Sequence, residues 1–160
     1  MLLINFQTLK QPIWAKSFFI KACVILREAK LNDNKVSLIF CSSAYMRSLN
    51  FKYCKKDKST DVLSWGYEKI NDNQKAHKNL VIGDVAICMP KVIKQAAIYQ
   101  WDEESEALRL FTHGLAHILG YEHETNFLDA QKMLKFESKI LQTVGIDLPK
   151  NQHVTKQYQA

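Results

Sequence analysis

The sequence predicts an α+β fold: a single domain with a four-stranded mixed sheet packed with about five helices. Three observations predict it. Segments with apolar residues at helical spacing alternate with short apolar runs of strand length, in the order β-α-β-α-β-β-α-α-α. The chain has 160 residues, enough for one real core and too few for two comfortable ones. No repeat, glycine-rich phosphate loop or interdomain linker interrupts it. The domain is expected to span residues 1–148, with a polar, frayed tail over 149–160.

Leu2 to Phe6 reads as a strand. Pro12 suits the first turn of a helix, and Trp14, Phe18, Ala22, Ile25 and Ala29 then recur at steps of three and four. Further apolar residues (Ile13, Phe19, Val24, Leu26) predict a heavily buried helix. Val36 to Cys41 has strand length, and Ser42 or Ser43 can cap a second helix through about Asn50. Residues 52–60, lysine-rich and polar, suit a loop. Asp61 to Tyr67 reads as a third strand and Glu68 to Asn79 as an exposed connection. Leu80 to Met89 is a fourth strand, interrupted by Gly83-Asp84. Pro90 opens a helix through about Gln100. Asp102 can cap the next, whose Glu103, Glu104 and Glu106 suit its positive end. Phe127 to Val144 forms the last helix, with Met133, Phe136, Ile140 and Val144 on one side and Gly145 as its stop.

No apolar run approaches the roughly 18 residues that span a membrane, and MLLINFQTLKQ has neither a charged n-region nor a cleavage site. The cysteines are scattered, with Cys41 and Cys88 in apolar runs, as expected of reduced core thiols. The expected compartment is the cytoplasm. A net charge of +6 favours polyanions, of which RNA is the commonest there. Lys52, Lys55, Lys56 and Lys58 concentrate part of that charge.

The chemistry concentrates in His113-Gly-Leu-Ala-His117-Ile-Leu-Gly120-Tyr-Glu-His123. Of five histidines, three fall here. His113 and His117 share one helix face. Gly120 can turn the chain left-handed and bring His123 towards them. Three imidazoles leave a fourth position open for water, the pattern of a catalytic Zn²⁺ site with one ion per chain. His77 and His153, in polar surroundings, are not expected to be ligands. The spacing is that of the metzincin proteases, H-E-x-x-H-x-x-G-x-x-H, but their general-base glutamate is replaced by Gly114. A metal hydrolase other than the usual peptidase follows. Glu122, beside the last histidine, is a candidate for orienting a ligand or transferring a proton. Asp61 and Asp84 are expected to serve mainly structural hydrogen bonds.

Three blocks carry a resemblance. Leu49-Asn-Phe-Lys-Tyr-Cys-Lys-Lys-Asp-Lys-Ser-Thr60-Asp61-Val-Leu-Ser-Trp65 resembles the YbeY family signature L-N-x-x-[YF]-R-x-K-D-x-P-T-[DN]-V-L-S-F. Gly83-Asp84-Val-Ala-Ile-Cys resembles its G-D-I-x-I-[CS] segment, and His113 to His123 its H-G-x-L-H-L-x-G-Y-[DE]-H zinc motif. The resemblance implies a zincin-like fold and a zinc-dependent endoribonuclease of single-stranded RNA. It also implies a part in 16S ribosomal RNA maturation and ribosome quality control. Lys55, Lys56 and Lys58 would draw the RNA backbone to the cleft. The sequence departs from the family where its arginine, to which the resemblance assigns a part in catalysis, falls at Cys54. Ser59 replaces proline and Trp65 phenylalanine. An alternative reading is therefore an RNA- or ribosome-binding assembly factor with little catalysis. A metallopeptidase is a third, supported only by the spacing. Neither a protein partner nor an oligomeric state is indicated.

Overall fold

The structure is a computed structural model that describes residues 1–7, 10–67, 80–123 and 126–148. Its elements are β1 (Leu2–Phe6), α1 (Ala15–Glu28), β2 (Lys35–Cys41), α2 (Ser43–Cys54), β3 (Val62–Gly66), β4 (Val81–Cys88), α3 (Met89–Tyr99), α4 (Glu103–Ile118) and α5 (Phe127–Gln142). The order matches the sequence-based expectation. The sheet runs β1-β2-β4-β3, with β1, β2 and β4 parallel and β3 antiparallel at the edge.

Side chains of β2 divide the molecule into layers. Val36, Leu38 and Phe40 are fully buried in the main core with α1, α4 and α5. Phe18, Phe40 and Phe111 meet edge to face there, at centroid separations of 5.3 and 6.1 Å. The opposite face is covered by α2, which packs Met46 with Cys41, Ala86 and Cys88. That cover is partial: Ser37 and Ile39 stay half-buried and Asn5 exposed.

Local chemistry sets the boundaries. Ser42 Oγ accepts from Tyr45 N, and Asp102 Oδ1 from Ser105 N, at the starts of α2 and α4. α2 continues past the expected end near Asn50 to Cys54 and stops at Lys55, whose φ of +58° is left-handed. The lysine-rich segment is thus part helix, and Asn50 Nδ2 ties its far end by donating to the Lys58 carbonyl. α1 begins at Ala15, after a turn in which Ala15 N donates to the Pro12 carbonyl. Its burial is narrower than expected, since Ile13 and Phe19 are exposed. The expected connection 68–79, the tail 149–160, His77 and His153 lie outside the described residues.

Gly83-Asp84 does not interrupt β4. Both residues pair with β2 and β3, after a one-residue register shift against β2 just before Gly83, and glycine is there for space. A Cβ at Gly83 would lie 2.2 Å from the Trp65 carbonyl oxygen and 3.0 Å from Ile118 Cδ1. Backbone cannot yield as a side chain does. Gly83→Ala is therefore expected to lower stability by on the order of 3 kcal/mol, read as a lower urea midpoint. An unchanged midpoint would contradict this packing.

Candidate metal centre and nucleic-acid cleft

His113 and His117 lie one turn apart on α4, the helix that packs against β3 and β4. α4 can lie that close because Gly114 faces the sheet, where a Cβ would stand 3.0 Å from Val85 Cγ1. After Leu119 the chain turns at Gly120, whose φ is +87°. That turn carries His123 back onto the first two rings. Centroids of the three imidazoles are 4.8 to 5.2 Å apart, and one ring nitrogen from each lies within 4.8 Å of the others. The expected trio is therefore brought together.

The donors suit a divalent cation. Burial, and then His113 and His123, push the His117 imidazole down to about 4, against a weaker pull from Glu137 and a hydrogen bond to the Tyr121 backbone. The ring is thus neutral at pH 7, as a ligand must be. His113 Nδ1 lies 2.7 Å from Glu137 Oε1. A carboxylate can only accept, so Nδ1 carries the proton and Nε2 keeps the lone pair for a metal. Nearby charge is unbalanced towards the negative. Glu106 grips Arg109 through two hydrogen bonds of 2.6 and 2.9 Å. Asp61 and Glu137 act on the same guanidinium, so three carboxylates face one arginine. A cation among the histidines would offset the excess.

One of these carboxylates was not singled out in the sequence, and another was given a different role. Glu137 is buried on α5 beside Met133, Ile140 and Leu141. An acid inside that apolar stripe was its available signal. Glu106, expected to serve the helix N-terminus, is fully buried and paired three residues on. Glu122 is mostly exposed, with Oε2 3.8 Å from His117 Nδ1, beyond direct hydrogen bonding. Asp61 serves structure, accepting from Gln95 Nε2 at 3.0 Å and from Val62 N at 2.9 Å. Burial raises its pKa, but those hydrogen bonds and Arg109 outweigh it, leaving the carboxyl below its ordinary value. Asp84 accepts from the Tyr67 hydroxyl.

The lysines split. Lys56 and Lys58 line a cleft of about 590 Å³ with Cys54, Asp61 and Gln95, and α3 adds Lys91, which sequence reading passed over. Lys55 instead points its Nζ at the Lys52 carbonyl, 3.4 Å away. Val62 joins cleft and histidines, since it lines the first and would meet a Cβ on Gly114 at 3.4 Å. Cys54 is exposed at the end of α2. Arg109 and Arg47 are both engaged elsewhere: Arg109 holds Glu106, and Arg47 holds Asp57 through bonds of 2.6 and 2.7 Å.

Among the described residues no helix is long and apolar enough to cross a membrane. The four cysteines are free thiols; burial, reinforced by Cys88, pushes Cys41 up to about 12.

Comparison with known proteins identifies the fold and the family. A solution structure of TM1509 from Thermotoga maritima superposes with a TM-score of 0.65 over 90% of this chain and 89% of that one, at 24% identity. It shares the fold. A protein of Sulfurihydrogenibium sp. described as endoribonuclease YbeY is 35% identical over 149 residues, covering 92% of this chain and 94% of that one. Another so described, from Desulforamulus reducens, is 39% identical over 118 residues, 72% of this chain and 75% of its own. The family model for endoribonuclease YbeY matches residues 7–145, from the end of β1 to the turn after α5. Histidine trio, basic cleft and every element after β1 thus lie within one continuous match, and the chain belongs to the YbeY family of endoribonucleases, RNA-cutting hydrolases.

Proposed function

We propose that this chain is a zinc-dependent endoribonuclease of single-stranded RNA, with one Zn²⁺ held by His113, His117 and His123. The observation that carries the reading is the convergence of three ring nitrogens within 4.8 Å, in a chain of an endoribonuclease family. A bound zinc ion supplies a Lewis acid and lowers the pKa of its water from about 15.7 towards about 7. The chain's own residues do the rest. Glu137 holds the His113 ring through Nδ1. Glu122, beside His117, takes or relays a proton, with Oε2 3.8 Å from its Nδ1. Lys56 and Lys58 hold phosphates along the cleft, and Lys55, their neighbour in sequence, adds charge. Family membership supports a cytoplasmic role in 16S ribosomal RNA maturation and ribosome quality control, with the ribosome as partner. Purified protein on single-stranded RNA, with and without chelator, tests the central claim. Cleavage that survives complete metal removal would refute it.

The lysine assignment predicts a salt effect. For a single strand, each lysine–phosphate pair contributes about 0.7 to the slope of log K against log salt, and removing the lysine flattens it by that amount. Lys56→Ala and Lys91→Ala are expected to show this, and Lys55→Ala less. Equal slopes for all three and the parent would exclude the cleft as the RNA path.

Cys54 supports a second reading, an RNA- or ribosome-binding assembly factor with weak catalysis. A thiol cannot clamp a phosphate as a guanidinium does, and Arg47 and Arg109 are both engaged elsewhere. Because Cys54 lines the lysine cleft, an arginine side chain there would enter it. Cys54→Arg is expected to raise cleavage, by up to about 10²-fold. A slower enzyme after the substitution would show that the position plays no such part. A peptidase is disfavoured because Gly114 supplies no carboxylate where the metzincin general base stands.

A further inference from the structure

On the α2 face of the sheet, turned away from α4, lies a second cavity of about 530 Å³. That volume suits a small molecule or a single base, as such sites run to about 300–1,000 Å³. Tyr53, Trp65 and Tyr67 line it, with Asn5, Ser37 and Asp84. Tyr53 and Trp65 meet at 4.7 Å between centroids, tilted by 60°. Tyr53 and Tyr67 are about half exposed, at 52% and 54%. Exposed aromatic rings around a carboxylate are not a core in waiting. Lys52 Nζ stands 5.0 Å from the Tyr53 centroid, a cation placed for a phosphate.

We infer that this pocket binds an unstacked guanine base of the RNA, an inference that rests on the endoribonuclease reading. Proteins that read single strands stack bases on aromatic rings and hydrogen-bond their edges. The carboxylate selects the base. Guanine presents N1–H and N2–H side by side, matched to the two oxygens of Asp84. Adenine, cytosine and uracil each interrupt such a pair with an acceptor or lack the second donor. The Tyr67 hydroxyl donates to Asp84 Oδ2 and fixes the group, and a carboxylate retains acceptor sites beyond that bond. An apolar peptide side chain would leave Asp84 without a donor beyond Tyr67, which disfavours it.

The pocket also stands in a useful place. Alternation along β3 puts Leu63 and Trp65 on the α2 face, while Val62 and Gly66 face α4. Among the described residues β3 is an edge strand, so one RNA strand passing over that edge would reach both pocket and histidines. A guanine held at Asp84 then sets which phosphodiester arrives at the metal centre.

The test is calorimetric titration of the full chain with GMP, AMP, CMP and UMP. GMP is expected to bind about tenfold more tightly than the others. Asp84→Asn, nearly isosteric and able to keep the Tyr67 bond, is expected to erase that preference. Trp65→Leu, which retains apolar bulk against Leu49, is expected to weaken all four by about tenfold. Equal affinity for the four nucleotides overturns the proposal, as does GMP binding unchanged in both variants. Occupation by a polypeptide with no nucleotide bound overturns it too. Cleavage of single-stranded RNA, measured separately, distinguishes the two readings. Intact cleavage without nucleotide binding removes the pocket and leaves the nuclease. GMP selectivity lost in Asp84→Asn establishes the pocket even where cleavage fails.

Discussion

The His117→Ala protein is expected to lose its zinc and to cut single-stranded RNA about 10³-fold more slowly, or worse. The parent protein is expected to carry one zinc per chain, to lose cleavage to a chelator and to regain it on adding zinc. The magnitude follows from the chemistry. Lewis-acid stabilisation of phosphodiester hydrolysis is worth several kcal/mol, and each 1.36 kcal/mol or so is tenfold in rate. His117 is the informative position because its surroundings hold its imidazole in the neutral form. Burial and two neighbouring imidazoles hold its pKa near about 4, so the histidine stays neutral and able to ligate throughout the neutral range. Loss of the ring leaves two donors, below the three that catalytic zinc sites keep. Elemental analysis of untagged protein and a cleavage time course decide the matter. Full zinc occupancy in His117→Ala would remove the residue from the metal centre. Unimpaired cleavage by a metal-free variant would remove the metal from the reaction.

Most of this site was legible because its determinants are local. One helical turn separates His113 from His117, and a glycine at φ +87° returns the chain to His123. The element order was legible for the same reason, since caps such as Ser42 and Asp102 act within three residues. What was not legible depends on packing between distant segments. Ile13 and Phe19 read as core because composition records apolarity and not direction; the buried stripe of α1 is Ala15, Phe18, Ala22, Ile25 and Leu26. Asp84 looked like a break in a strand, yet glycine beside it exists to let Trp65 and Ile118 approach. Lys91 joins Lys56 and Lys58 only because the start of α3 lies next to the end of α2. The acids behind the histidines are the sharpest case. Glu106 had the usual look of a helix-start acid, and only its burial with Arg109 shows another role.

Glu137 carries the second large expected effect. It sits 24 residues from His113 in sequence, and α5 brings its Oε1 to 2.7 Å from the ring. It is the acceptor that fixes which nitrogen of His113 keeps its proton and how the ring is turned. Loss of such a supporting carboxylate costs metal affinity by about 10- to 100-fold. Glu137→Gln is expected to fall in that range, because an amide oxygen can still accept from Nδ1 but brings no charge. Glu137→Ala is expected to be worse. Glu137 also acts on Arg109, so the charge removed was part of the negative excess that a dication balances. The effect is therefore expected in zinc affinity more than in folding, since removing one of three carboxylates also removes its repulsion with the other two. Competition with a chelator of known zinc affinity measures the first, and urea denaturation of the metal-free protein the second. Zinc affinity equal to the parent's would show that Glu137 merely fills space. A large loss of metal-free stability with unchanged affinity would place its role in packing rather than in the metal centre.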